Sequence, residues 1–342
     1  MNRAGDRVNT TAVGPEASAD VVVVGAGPAG LYTAHCAGLR GLSCAIVDAL
    51  PEPGGQIAAM YPEKRIYDVA GHVAVRGREL VDNLVVQLTS FDPCYLLGRT
   101  VLSLVPDQGA GWAVGFEGGG WARAGAVVVA AGLGRSVPRT LPCLRAYEGR
   151  GVAHHVPRPE EHRDRDVVIV GGGDSAVDWA LALAPIARSV TVVHRRSAFR
   201  AHERSVKQLY AADIRVLTDA QVVACQGAER LEVVCVRVGG DELKLPAQAV
   251  VAALGFITGL GPIADWGLQV ENRRIAVDGA MRTNLPRIYA VGDICTYEGR
   301  VPLISVGFGE AATAANHAAV ELRPGSRLEP EHSTDRDAGS LR

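Results

Sequence analysis

The chain has 342 residues, 48% of them hydrophobic, and a formal net charge of -2. That length predicts two domains at ~150 residues each. The near-neutral balance excludes a global electrostatic case for nucleic acid or an acidic membrane, and no apolar run reaches the ~18 residues of a membrane span. Residues 1–18 carry no apolar core of a secretory signal and read as a flexible tail.

The ordered chain opens with Val21 to Val24, an all-apolar run of the kind expected for a strand buried on both faces. Gly25, Gly27 and Gly30 follow as GxGxxG, then a helix with Leu31, Ala34 and Leu39 on its apolar side. A second strand, Cys44 to Val47, ends at Asp48. The first glycine allows a tight turn, the second lets the backbone approach a pyrophosphate, and the third position must be small. The helix N-terminus points free N–H groups at the phosphates. Asp48 can accept from ribose hydroxyls and would repel a 2′-phosphate, so this site wants FAD or NAD.

Next comes an insert, PEPGGQIAAMYPEKRIYDVAG, and a helix with Leu80, Leu84, Leu88 and Phe91 at core spacing. The pieces VLSLV and WAVGF predict strands, and VVVAAG at 127–132 predicts a further buried one. The loop GVAHHVPRPEEHRDRD holds His154 and His155 side by side, which is no metal pair on one helix face.

At Val167 the plan repeats. Gly171, Gly173 and Ala176 make GxGxxA, a helix runs from Ser175 to about Ala184, and Pro185 ends or kinks it. The strand Val190 to Val193 leads to His194, which lies 23 residues after Gly171, as Asp48 lies 23 after Gly25. This tip carries no acid. His194, Arg195, Arg196 and nearby Arg200 offer donors and positive charge, and guanidinium groups bind phosphate bidentately. The second site therefore favours NADPH over NADH, with Gly171, Gly173, Asp174 and Ser175 at its turn.

LEVVCVRV and VVAALG at 250–255 close this second copy as strands. A strand from Ile288 to Val291 then meets Gly292-Asp293, and GFGEAATAANHAAVEL predicts a helix starting near Gly309. A late strand-Gly-Asp element resembles the ribityl-binding part of two-dinucleotide flavoproteins, which selects FAD for the first site. The fold expected is α/β, with two Rossmann-like three-layer dinucleotide-binding domains. Residues 19–135 form the first part of the FAD domain, 136–256 the NADPH domain, and 257–342 return to the FAD domain with a C-terminal tail. The seven cysteines are scattered, predict buried thiols, and fit a reducing cytoplasm. No HExxH, nucleophile elbow or Walker loop is present.

With PGGQ at 53–56, MYPEKRIYDVAG at 60–71, GGGDSAVDWAL at 171–181, HRRSAFRAHE at 194–203, GDICTYEG at 292–299 and HST at 332–334, the chain resembles the thioredoxin-reductase-like flavoproteins. Within them it resembles the thioredoxin-reductase-type ferredoxin–NADP reductases. Thioredoxin reductases carry a CxxC before the second glycine motif; here that region has no cysteine, so no intramolecular disulfide relay operates.

The resemblance implies hydride transfer from NADPH to flavin N5, then single electrons to ferredoxin or flavodoxin, with no acid–base residue. It implies Asp48 on the FAD ribose, Gln56 and Tyr61 on the flavin half with Tyr61 stacking, Val101 by the adenine, and Asp293 on the ribityl-pyrophosphate. It also implies Thr334 at the flavin and His332 stacking opposite Tyr61. Ser136 stands where relatives often carry a bulky aromatic near the flavin. A homodimer is implied too, and Lys64, Arg65 and Arg76 are candidates for a basic docking patch. The competing expectations are an NADPH-dependent reductase of a quinone, oxygen or a disulfide carrier, and a non-catalytic NADPH-sensing flavoprotein.

Overall fold

Val21–Val24 can be an unbroken valine run only if both of its faces are covered. In the structure, a computed structural model that describes residues 16–107, 109 and 111–329, they are. Val21 and Val23 enter one buried cluster, and Val22 and Val24 enter another on the opposite face. The same alternation marks the second copy: Val168 and Val170 face one core, Val167 and Ile169 the other.

The helices among the described residues are α1 (Pro28–Leu39), α2 (Gly55–Met60), α3 (Gly77–Leu88), α4 (Pro142–Arg145), α5 (Asp174–Leu183), α6 (Glu203–Ala211) and α7 (Ile304–Leu322). The chain divides into two units. Unit 1 is residues 1–135 and 258–342, and unit 2 is residues 136–257.

In unit 1 the sheet order is Cys94–Leu97, Cys44–Asp48, Ala17–Val24, Trp121–Val129, Gly111–Phe116 and Val101–Asp107. The first four strands run parallel, and the last two join as an antiparallel hairpin. Trp121–Val129 carries two partners on one edge. Its N-terminal half pairs antiparallel with Gly111–Phe116, and its C-terminal half pairs parallel with Ile288–Ala290. The late chain segment thus returns to the first sheet. Helix α1 is packed on most sides: Leu31, Ala34 and Ala37 share a cluster with Ala314, Ala315 and Ala318 of α7 and Leu80 and Leu84 of α3. Small residues at this contact let the helix backbones approach. Leu39, expected on the apolar side, is only partly buried.

Helix α7 begins at Ile304, five residues before the expected start near Gly309. Gly307 lies inside the helix, at ordinary contact distance from Ala29 and Gly292. A Cβ there would lie 3.5 Å from the Ala29 Cβ and 3.7 Å from the Gly292 Cα.

Unit 2 has a five-stranded sheet, Val152–Ala153, Ala249–Ala252, Asp166–Val170, Ser189–Val193 and Arg215–Leu217, all parallel. A separate antiparallel meander, Ala220–Gln226, Val233–Val238 and Asp241–Pro246, shares one core with it. Helix α5 and Leu209 of α6 cover the other face. The chain passes between the units through Arg135–Pro138 and Phe256–Gly259, which pair with each other.

The repeat also shows at the base of the strands. Asp20 accepts from Ser43 N–H at 2.8 Å and from its hydroxyl at 2.9 Å. Asp166 accepts from the Ser189 hydroxyl at 2.7 Å. Both pairs span 23 residues.

Candidate functional site

In unit 1 the turn after the first strand is shaped by contacts. Gly25 has φ +114° and its backbone touches Ala130, so a side chain there would be strained and would clash. Gly27 is the N-cap of α1, with no side-chain cap and open space where a Cβ would stand. With no side-chain cap, the α1 N-terminus leaves its first N–H groups open.

Asp48 closes the turn from the neighbouring strand. Its Oδ2 accepts from Ala26 N–H at 2.6 Å and its Oδ1 from Leu50 N–H at 2.8 Å. Burial raises its pKa above the ordinary value, against the opposing pull of the backbone donors Leu50, Ala26 and Ala49. These donors do not use all of the roughly four lone-pair sites of the carboxylate, so it can still accept from an outside donor. Val101 is buried, and its neighbour Arg99 donates N–H to the Asp48 carbonyl at 2.9 Å.

The insert supplies the adjoining wall. A Cβ on Gly55, at the start of α2, would lie 2.9 Å from the Gly27 Cα. Gln56 Nε2 reaches to 3.4 Å from where a Cβ on Gly132 would be. Tyr61 ends α2 against the core, and burial first, then the Asp293 carboxylate, raises its pKa. So Gly25, Gly27, Asp48, Gln56, Tyr61 and Asp293, distant in sequence, are linked by successive contacts past the C-terminal ends of the parallel strands.

Glu310 is a residue the sequence reading passed over. It is buried in α7 and accepts from Gly292 N–H at 2.6 Å, Tyr297 hydroxyl at 3.0 Å and Arg300 Nε at 2.8 Å. Burial, and then the Glu310 carboxylate, push the Tyr297 hydroxyl up to about 12. The available signal was an acid in a helix whose other buried positions are alanine and glycine.

In unit 2 the corresponding turn differs. Gly173 is an uncapped N-cap with open space, as Gly27 is. Asp174 Oδ1 accepts from His202 N–H at 2.9 Å, and Arg200 N–H donates to the Gly172 carbonyl at 2.8 Å. These bonds hold the segment 200–202 against the glycine turn. The His194 ring does not face solvent: it is 7% exposed, its Nε2 lies 3.1 Å from the Ala198 carbonyl, and it stacks on Phe199 at 5.0 Å. Arg195, Arg196 and Arg200 are exposed and form no ion pair among the described residues. Ser175 is exposed on the first turn of α5.

Ser136 lies in the strand Arg135–Pro138, and its side chain is outside the described part of the structure. His332 and Thr334 lie outside the described residues. His154 sits in a loop, 3.4 Å from Glu148. Of the candidate basic patch, Arg76 meets Glu63 at 3.7 Å, and Glu63 also holds Arg78 at 2.9 Å. All seven cysteines are free thiols; Cys36, Cys235 and Cys295 are buried, and Cys94 is exposed, unlike the expectation for it. No group of three or more metal-binding side chains occurs among the described residues, and no helix there is long and apolar enough to cross a membrane.

Known proteins match this arrangement. The family described as pyridine nucleotide-disulphide oxidoreductase matches residues 19–318. The ferredoxin–NADP reductase of Saccharopolyspora erythraea is 54% identical over 318 residues, 92% of this chain and 97% of that protein. The ferredoxin–NADP reductase of Thermus thermophilus is 48% identical over 327 residues, 93% of this chain and 97% of that one. Among solved structures, Lactococcus lactis thioredoxin reductase aligns with a TM-score of 0.74 at 26% identity, covering 89% of this chain and 99% of its own. Thioredoxin reductase of T. acidophilum aligns with a TM-score of 0.76 at 24% identity, over 90% of this chain and 99% of its own, a likeness of fold. The chain therefore belongs to the pyridine nucleotide-disulphide oxidoreductase family, with the thioredoxin-reductase-like fold of two Rossmann-like units, and groups there with the ferredoxin–NADP reductases.

Proposed function

We propose that the protein is a ferredoxin–NADP reductase that holds FAD in unit 1 and NADPH in unit 2. The observation that carries this reading is the contrast at equivalent strand tips. Asp48 presents a carboxylate held by two backbone donors. Its counterpart region presents exposed Arg195 and Arg196. One tip suits ribose hydroxyls; the other suits a 2′-phosphate.

The residues present fit both nucleotides. The backbone at Gly27 and Gly173 leaves open the space a Cβ would fill, and each stands at an uncapped helix N-terminus. When bound, the flavin supplies conversion between two-electron and one-electron transfer. The chain's own residues bind and orient. Gly27 admits the FAD pyrophosphate, Gly25 and Gly30 shape the turn and its packing on the helix, Asp48 holds the ribose, and Val101 borders the adenine. Gln56 and Tyr61 flank the flavin half, with Tyr61 against one ring face, and Asp293 meets the ribityl chain. Ser136, His332 and Thr334 complete the flavin surroundings, His332 on the face opposite Tyr61. In unit 2, Gly171, Gly173, Asp174 and Ser175 form the phosphate turn. Arg195, Arg196 and Arg200 hold the 2′-phosphate, and the His194 backbone sets their position.

The electron acceptor in this reading is ferredoxin or flavodoxin, and the protein acts as a cytoplasmic homodimer. The absence of any CxxC supports an external carrier over a dithiol relay. The test is NADPH-dependent cytochrome c reduction by the purified flavoprotein, with and without added ferredoxin. Saturable stimulation by ferredoxin is expected. Rapid flavin reduction by NADPH with no stimulation by several ferredoxins or flavodoxins would move the function to another acceptor.

A further inference from the structure

Glu310 is 3% exposed, and the Arg300 side chain beside it is 4% exposed. The carboxylate meets four donors. Oε2 accepts from Gly292 N–H at 2.6 Å and faces Cys295 Sγ at 3.7 Å. Oε1 accepts from the Tyr297 hydroxyl at 3.0 Å and from Arg300 Nε at 2.8 Å. A carboxylate offers about four lone-pair sites, so none is left over.

A dry ion pair is costly to desolvate, and well-packed apolar side chains of similar volume are often as stable or more so. Stability alone does not account for this one. Two things here need a carboxylate. The first is the Gly292 N–H, in a turn with φ +74° whose Cβ position lies 3.2 Å from the Ala29 Cβ in the first turn of α1. The second is the Arg300 guanidinium, whose Nη2 also reaches Asp293 Oδ1, at the longer distance of 3.4 Å. Arg274 Nε donates to the Asp293 carbonyl at 3.1 Å and fixes the backbone from the other side. Two carboxylates thus share one guanidinium, and the buried one has the shorter bond. Asp293, 47% exposed, keeps most of its carboxylate free.

We propose that Glu310 is a positioning residue for the unit 1 site. It holds the Gly292–Asp293 turn against the α1 N-terminus and occupies Arg300, leaving the Asp293 carboxylate free for the ribityl end of FAD. This rests on the reading of unit 1 as the FAD unit. Loss of the Glu310 charge releases Arg300 to Asp293, which then turns from the ligand.

The experiment compares FAD binding to the apoprotein of wild type, Glu310→Gln, and Glu310→Gln with Arg300→Gln. The readouts are quenching of FAD fluorescence and the visible band shape of the bound flavin. Glu310→Gln sets an amide N–H₂ against one of the existing donors. Its FAD Kd is expected to rise about tenfold or more, the size of one lost hydrogen bond to a charged group, with an altered band shape. Binding of 2′,5′-ADP to unit 2 in the same protein stays at the wild-type value. The double variant recovers part of the FAD affinity, because the competing guanidinium is gone; simple destabilisation predicts a further loss instead. Wild-type affinity and spectrum in Glu310→Gln, or no recovery in the double variant, overturns the proposal. If Glu310→Gln does not fold, Glu310→Asp keeps the charge but withdraws it from Gly292, and unchanged FAD affinity there overturns it as well. A wild-type protein that binds no FAD overturns the unit 1 reading itself, and the proposal with it.

Discussion

A Cβ on Gly172 would collide with the His194 imidazole. The middle glycine of the second turn is there for that ring. In the first copy the same position is Ala26, and the residue beneath it, Asp48, reaches up to accept the Ala26 N–H at 2.6 Å. One strand tip directs its side chain to the turn's backbone. The other tucks an aromatic ring under the turn and leaves the following arginines outside.

Gly172→Ala is expected to displace the His194 ring and, with it, the Arg195–Arg196 backbone. Overpacking of this kind costs about 1–3 kcal/mol. The expected outcome is a lower melting temperature together with a raised KM for NADPH. Steady-state kinetics and thermal melts of the one variant check it; an unchanged KM would show that the ring does not set the arginines.

Replacing Arg195 and Arg196 together by alanine removes two exposed guanidinium groups with no ion-pair partner among the described residues. A hydrogen bond to a charged group contributes about 1.5–3 kcal/mol, so the NADPH KM should rise tenfold or more, roughly, while the NADH KM changes little. Equal effects on both coenzymes would remove the 2′-phosphate assignment.

Asp48 gives a pH dependence. Its pKa is raised by burial. A raised carboxylate contributes stability that is present below the unfolded value of about 3.9 and lost as pH rises through the folded one. The stability of wild type relative to Asp48→Asn should therefore fall across that window and level off above it. FAD affinity moves the other way. In the proposed reading the ionised carboxylate accepts from ribose, so wild-type affinity should weaken as pH drops from about 7 towards 4, a limb that Asp48→Asn flattens. FAD titrations across this range in both proteins test it.

Asp166 has the opposite sign. The Arg188 hydrogen bonds, first, and the Ser189 hydroxyl hold its carboxyl below the usual range. Its contribution is present above about pH 3.9 and is lost as pH falls through the folded value. Asp166→Asn should lower the melting temperature slightly at neutral pH and leave it unchanged in strong acid. Parallel melts of wild type and variant over that range measure the difference.

The two strand-turn-helix copies were legible because buried parallel strands read as unbroken valine runs and glycine turns have a fixed spacing. The approach of Gln56 to Gly132 and of Tyr61 to Asp293 was reached through resemblance, since no local period links them. Two features were hidden for physical reasons. The early start of α7 was not legible because Gly307 and Gly309 have low helix propensity, while the contact of Gly307 with Ala29 is long-range. The hydrogen bonds of Glu310 were invisible because the donors Gly292, Tyr297 and Arg300 come from a loop whose path no pattern predicts. The turning-in of His194 could have been read from GGG against GAG at the two turns, since the added glycine makes room for the ring.

The paired crossing strands have a practical outcome. Gly134 and Gly259 bridge each other where the chain leaves unit 1 and returns, so the two severed ends of unit 1 lie about one strand spacing, roughly 5 Å, apart. Unit 2 is thus a cassette inserted at a single point of its host. A short turn splicing 134 to 259 would close unit 1 as a continuous chain, and residues 136–257 could be produced as an excised module. Each half of the nucleotide chemistry could then be titrated without the other.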